Sequence, residues 1–278
     1  MNHPSVIAPS AHPLPRRNLP IGIQTFSEII EEGHYYVDKS AYAVRLANEG
    51  KYYFLSRPWR FGKSLFLDTL RELFEGNQAL FKGLAAENAW DWSKKYPVIR
   101  ISFSDGVLQS RADLEARIHE LLTDNAQRLG VCCTYESIAG RFEELIRLVH
   151  QQTGQRAVVL IDDYDKPVFD NIDRSAVATE MREGLMNLYS VLKGSDEHLK
   201  FVFLTGVSKF SKAGLFSGLN NLTDITLDER YSAICGFTDA DVDTVFAPEL
   251  PDWTSSKFAS GTTAITGWAH RFTTRLAC

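Results

Sequence analysis

Apolar residues along this chain alternate between short unbroken runs and positions spaced three or four apart, a pattern that predicts strands alternating with helices. The runs are Tyr52-Tyr53-Phe54-Leu55-Ser56, Val98 to Phe103, Ala157 to Ile161 and Phe201 to Leu204. Between them lie helical spacings: Leu67, Leu70 and Phe74; Leu114, Ile118 and Leu121; Ile138, Phe142, Leu145 and Val149; Met181, Leu185, Leu188 and Leu192. Gly76 and Gly154 are placed to end two of these helices. Residues 26 to 48 suggest two short helices around a turn, and Thr238 with Asp241 three residues on suggests a capped helix start. The segment Gly206 to Asp228, rich in Ser, Gly and Asn, is too long for a plain connection.

Continuous apolar strands alternating with helices imply a three-layer α/β fold, a mainly parallel sheet with helices on both faces and a short C-terminal helical remnant. Ligands of such sheets bind beyond the carboxyl ends of the strands. Two strand ends carry the chemistry expected there. Gly62-Lys63-Ser64, between a strand and a helix, is the second half of a phosphate-binding P-loop. Backbone N–H groups at a helix start attract phosphate, Lys63 neutralises phosphate charge, and Ser64 is a ligand for Mg²⁺. The first Gly of that motif is missing, Arg57 standing in its place. The second strand end is Asp162-Asp163: Asp162 is the expected metal-side carboxylate and Asp163 the carboxylate that polarises water. A solvated strand end or helix cap is the alternative for the pair. Asp163 is one methylene shorter than the Glu often used there, which predicts slow hydrolysis.

Thr205 ends the next strand, either as a sensor of the γ-phosphate or attacking water or as a buried polar strand end. Arg57 and Arg60 flank the loop and could add phosphate contacts. Trp59 is read as structural, and Lys209, Lys212 and Arg230 as surface charge that could otherwise complete the site.

The 278 residues include 44% hydrophobic and 23% charged residues, the balance of a folded protein, and a net charge of −5, which argues against a surface that grips nucleic acid all over. No apolar run approaches the roughly 18 residues of a membrane span. The first twenty residues hold five Pro and no apolar stretch, so they read as a flexible arm, and a cytoplasmic location is expected. Four Cys without CxxC spacing read as reduced thiols, and the scattered His give no support to a zinc centre.

Four segments resemble the AAA-ATPase-like proteins of bacteria and archaea. They are Tyr36 to Lys39, Ser56 to Leu65, Val159 to Pro167 and Leu204 to Ser211. The loop Arg57-Pro58-Trp59-Arg60-Phe61-Gly62-Lys63-Ser64 departs from the P-loop pattern as that family does. The resemblance covers about residues 18 to 250 and implies ATP binding by Lys63, Ser64 and Asp162. The nucleotide-binding loop is then Arg57, Arg60, Phe61, Gly62, Lys63, Ser64 and Leu65. Mg²⁺ falls to Ser64 and Asp162, and catalysis to Asp163 with Lys63 and Thr205. Trp59 stands where the family usually has Arg, and Asp163 where it usually has Glu, departures that bear on turnover more than on binding.

The family usually continues into a PD-(D/E)xK nuclease-like domain, whereas from about Trp253 this sequence loses the family pattern. For a suitable choice of codons, residues 253–278 read one base earlier give LDLEQVREWYNGYHWLGTPVYNPFGL, similar to the family's continuation. The expected organisation is therefore a disordered arm at 1–17, a P-loop domain at 18–250, and a non-native or disordered tail at 251–278 left by a frameshift. The expected activity is Mg²⁺-dependent ATP binding with slow hydrolysis to ADP and phosphate. The rivals are a non-hydrolysing switch acting on a nuclease-like domain or partner, with nucleic acid reached only through it, and an inactive truncated product.

Overall fold

Buried parallel strands read as unbroken apolar runs because both of their faces are covered, and here each expected run is a strand. The structure, a computed structural model, describes residues 16–208 and 221–249. Most of the expected arm at 1–17, all of the tail at 251–278, and Lys209 and Lys212 lie outside the described residues. The chain divides into two compact units, one of residues 1–22, 29–37 and 237–278, the other of 23–28 and 38–236.

The larger unit holds β1 (Tyr52–Ser56), β2 (Val98–Ser102), β3 (Ala157–Asp162), β4 (Leu199–Gly206) and β5 (Thr223–Asp224). They form one sheet in the order β2-β3-β4-β1-β5, with every pair parallel. Parallel neighbours need crossovers. These are α3 (Lys63–Glu75) after β1, α4 (Arg111–Arg128) and α5 (Ile138–Thr153) after β2, and α6 (Lys166–Phe169) and α7 (Ser175–Gly194) after β3. Upstream lies α2 (Ser40–Glu49). Gly76 and Gly154 cap α3 and α5 in the left-handed conformation, as their positions predict.

The two sheet faces divide by strand period. Tyr52, Phe54, Ile99, Ile101, Val159, Ile161, Val202 and Leu204 pack with α4, α5 and α7 in one apolar cluster. The alternate residues face α3: Phe203 packs on Phe66 at 5.8 Å between ring centroids and Phe201 on Phe74 at 5.1 Å. This is a three-layer fold. Its exposed edge at β2 is blunted by α4, where the Asn125 amide takes both backbone groups of Arg100, accepting at 2.9 Å and donating at 2.7 Å.

In the smaller unit, α8 (Asp239–Val245) opens on the expected capping box, Thr238 and Asp241 each accepting from the other's backbone. Tyr35, Val37 and Phe246 form its buried cluster, and Tyr35 Oη donates to Glu249 at 3.0 Å. The short helix α1 spans Phe26–Glu31. Among the described residues no helix is long and apolar enough to cross a membrane.

Candidate functional site

Three strand ends converge at the carboxyl edge of the sheet, where the parallel arrangement directs ligands. Ile161 pairs with Leu204, so Asp162 and Thr205 are the next residues in register on β3 and β4. Both side chains are buried, and Thr205 Oγ1 donates to Asp162 Oδ1 at 2.5 Å. No ion pair within 4 Å reaches Asp162 among the described residues, and that hydroxyl is the side-chain donor its carboxylate receives there. Such a carboxylate suits a hard divalent cation. A P-loop magnesium site needs one hydroxyl and one carboxylate, the remaining ligands being phosphates and water. The residues therefore fit the ion, although no group of three or more His, Cys, Asp or Glu forms a protein-only metal cage among the described residues. Ser64, second residue of α3, is half-buried.

The loop between β1 and α3 turns through two positive-φ residues, Arg60 at 60° and Gly62 at 84°. Gly62 sits at the helix start in the left-handed region, where a side chain would add strain, and its carbonyl receives the first turn through Phe66 N–H at 3.0 Å. Lys63 is buried to 5% exposure. Its ammonium donates to the carbonyls of Arg57 (3.1 Å) and Pro58 (3.2 Å) and lies 3.9 Å from Asp163 Oδ1. Asp163 Oδ2 in turn accepts from Ser104 Oγ at 3.2 Å, from the loop after β2. Burial, reinforced by the neighbouring charge of Asp162 and opposed by Lys63, pushes the Asp163 carboxyl above its ordinary pKa. Asp163 also has φ of 49°, and with Arg60 is one of two positive-φ residues other than Gly among the described residues.

The other expected loop residues divide. Arg60 is exposed. The Arg57 guanidinium is turned from the loop mouth onto carbonyls, donating to Thr226 O at 2.5 Å, Ser56 O at 3.2 Å and Tyr231 O at 3.5 Å. In this structure it anchors the loop to the segment after β5, and a phosphate contact would require it to leave those carbonyls. The Phe61 ring lies over Gly236, where an added Cβ would come within 2.9 Å of it. Cys235 beside it is fully buried, which pushes its thiol to about 12. Leu65 is half-buried, its carbonyl accepting from Thr69 Oγ1 at 2.9 Å. Trp59 stands half-exposed, edge-on to Phe169 at 5.1 Å, and Arg230 pairs with Asp228 at 2.6 Å on the surface. A cleft of about 360 Å³ opens beside Asp162, with Ser102, Ser104, Arg100 and Arg117 on its walls.

Ser104 and Asp165 were not singled out by the sequence pattern. Asp165 is buried and accepts from Val207 N–H (3.3 Å), Ser208 N–H (2.8 Å) and Ser208 Oγ (2.5 Å). The only signal was its place in the acidic run after β3.

The sequence matches the model of a family described as "Predicted AAA-ATPase" over residues 20–216. A curated relative from Azotobacter chroococcum mcd 1, described as "Uncharacterized protein in vnfD 5'region", is 60% identical over 237 residues. That alignment takes in 85% of this chain and 46% of the relative, so the chain spans about half the length of the curated relative it matches.

Proposed function

The chain belongs to the AAA-ATPase-like family, a family of predicted ATPases, and on that premise we propose that it binds Mg-ATP at residues 57–65 and hydrolyses it slowly to ADP and phosphate. The observation that carries this reading is the convergence of Lys63 on Asp163 beside the buried Asp162–Thr205 pair. The first helical N–H groups after Gly62 and the Lys63 ammonium bind phosphate oxygens. Thr205 holds Asp162 by one oxygen and leaves the other for the cation, with Ser64 as the second protein ligand. Ser64 and Asp162 would hold the magnesium ion, which would supply charge neutralisation at the γ-phosphoryl group. Asp163 orients the attacking water and takes its proton, for which a raised pKa is suited.

A second reading, binding without turnover, is favoured by one feature: Asp163 is engaged by both Lys63 and Ser104, and its short side chain must leave them to reach a water.

Calorimetric Mg-ATP binding and phosphate release, measured on this chain and on Lys63→Ala, test both. Losing a charged phosphate contact of about 1.5–3 kcal/mol weakens binding about tenfold to a hundredfold. Absence of ATP binding by the unmodified chain overturns the proposal, and binding without phosphate release selects the second reading.

A further inference from the structure

We propose that Asp165 is a positioning residue: it ties the turn after β3 to the turn after β4 and thereby holds the Asp163 carboxylate in place. This rests on the role given to Asp163 above.

Asp165 occupies the N-cap position of α6, where an aspartate side chain ordinarily accepts from its own helix. Here it makes no such bond. Its carboxylate points instead across to the turn after β4, where it takes the three donors of Val207 and Ser208. It is 3% exposed, and no cation lies within 4 Å of it among the described residues. A buried carboxylate satisfied only by donors of one turn specifies the position of that turn.

The same junction is fastened by its neighbours. Tyr164 N–H donates to Thr205 O at 2.9 Å, Tyr164 Oη to Ser208 O at 3.0 Å, and Tyr189 Oη to Tyr164 O at 3.1 Å. Gly206 completes the fit, since a Cβ there would lie 2.6 Å from Asp165 Oδ1 and 2.3 Å from the Tyr164 ring. Asp163 stands between Asp162, bonded to Thr205, and Tyr164, bonded to the Thr205 carbonyl. Its left-handed backbone is unfavourable for a residue with a Cβ and persists where the surroundings over-determine it. Asp165 is the buried charge in that clamp. It touches neither Lys63 nor Ser64, so it acts on the water-activating carboxylate and not on phosphate binding.

The test uses Asp165→Ala, Asp165→Asn and Ser208→Ala in the full chain, each checked for an intact thermal transition. Misplacing Asp163 by about 1 Å lowers kcat of Asp165→Ala about a hundredfold, while the Kd for Mg-ATP stays within about threefold. Asp165→Asn keeps one acceptor oxygen and loses less. In an Asp163→Ala background, Asp165→Ala costs less than about a further twofold, because it acts through the group already removed. Amide hydrogen exchange supplies a readout independent of hydrolysis: Tyr164, Val207 and Ser208 exchange faster in Asp165→Ala, while Val159 and Leu160 do not.

If the unmodified chain binds ATP without releasing phosphate, the hydrolytic reading fails, and faster Tyr164 exchange still supports the tie. Tyr164 as protected as in the unmodified chain overturns the proposal, as does kcat within twofold of the unmodified chain, or equal losses with and without Asp163. Should Asp165→Ala fail to fold, Asp165→Asn and Ser208→Ala decide: unchanged kcat and unchanged Tyr164 exchange in both overturn it.

Discussion

Replacing Thr205 by Val exchanges a hydroxyl for a methyl of similar size inside the sheet and removes the one bond that Asp162 receives there. Thr205 is fully buried and Asp162 is 2% exposed, with 2.5 Å between Oγ1 and Oδ1. A hydrogen bond to an ionised group is worth about 1.5–3 kcal/mol, and its loss leaves the buried Asp162 Oδ1 without that donor. Valine's better strand propensity returns at most about 1 kcal/mol. The net loss is then about 0.5–3 kcal/mol, or a fall in Tm of about 1–12 °C for a domain of this size. Thr205→Ser keeps the hydroxyl and loses one methyl, about 1 kcal/mol. Thermal and urea unfolding at pH 7 without nucleotide should rank the original above both variants, with Val no more stable than Ser despite its greater hydrophobicity. A Val variant as stable as the original, or more stable than Ser, refutes the argument that this hydroxyl compensates the charge.

Other outcomes follow from the same packing and hydrogen bonds. Gly206→Ala drives a methyl into the buried Tyr164 ring, and overpacking of that kind costs about 1–3 kcal/mol, read as a lowered urea midpoint at unchanged m-value; an unchanged midpoint counts against the close fit. Asp163→Asn should raise Tm at neutral pH while lowering the rate of phosphate release about 10²- to 10⁴-fold. With the native pKa of Asp163 raised above 3.8, ionisation opposes folding at neutral pH; the gain shrinks as pH falls through the native value and is gone below 3.8. A Tm lower than the original at pH 7 contradicts this. Glu144 accepts from Tyr135 N–H at 2.9 Å and from Thr134 N–H and Oγ1, bonds that hold its carboxyl below its ordinary 4.5. Its contribution is therefore complete above pH 4.5 and lost as pH falls through the lower native value. The stability gap to Glu144→Gln should close over that interval, and a gap that persists in acid refutes the assignment.

The strands and helices of the larger unit were legible because their signals are local: unbroken apolar runs at Ala157 to Ile161 and Phe201 to Leu204, and glycine at Gly76 and Gly154 just past the helical spacing. Asp162 was legible for the same reason, an acidic residue at the end of a buried run. β5 was not, because two residues, Thr223 and Asp224, are too few to show a period, and they become a strand only by pairing with Tyr53 and Phe54. Arg57 reads as a phosphate ligand from its place in the loop, yet its head is taken by the carbonyl of Thr226, 169 residues away. Ser104 belongs to no motif, and Asp165, though within the resembling segment Val159 to Pro167, shows no role by its spacing. Their roles arise where loops from different strands meet, a tertiary fact that neither periodicity nor spacing encodes.

The backbone strain of the larger unit is distributed in the same way. Seven of its described glycines have positive φ, as glycine tolerates, but its two other positive-φ residues, Arg60 and Asp163, both stand on loops at the carboxyl edge of the sheet. One precedes Gly62 and Lys63, and the other is the carboxylate facing Lys63. Neither conformation is imposed by its own residue type. Each requires a support outside its own turn: Arg57 bonded to the far segment for the first loop, Tyr164 and Asp165 bonded to β4 and its turn for the second. A rigid parallel sheet makes such supports available, because strands fixed side by side bring their following loops within hydrogen-bond distance. Relieving the strain by substitution should therefore stabilise the fold and weaken the chemistry together, and Asp163→Gly, which removes the Cβ that the left-handed backbone disfavours and the carboxylate with it, is the variant in which the two effects coincide.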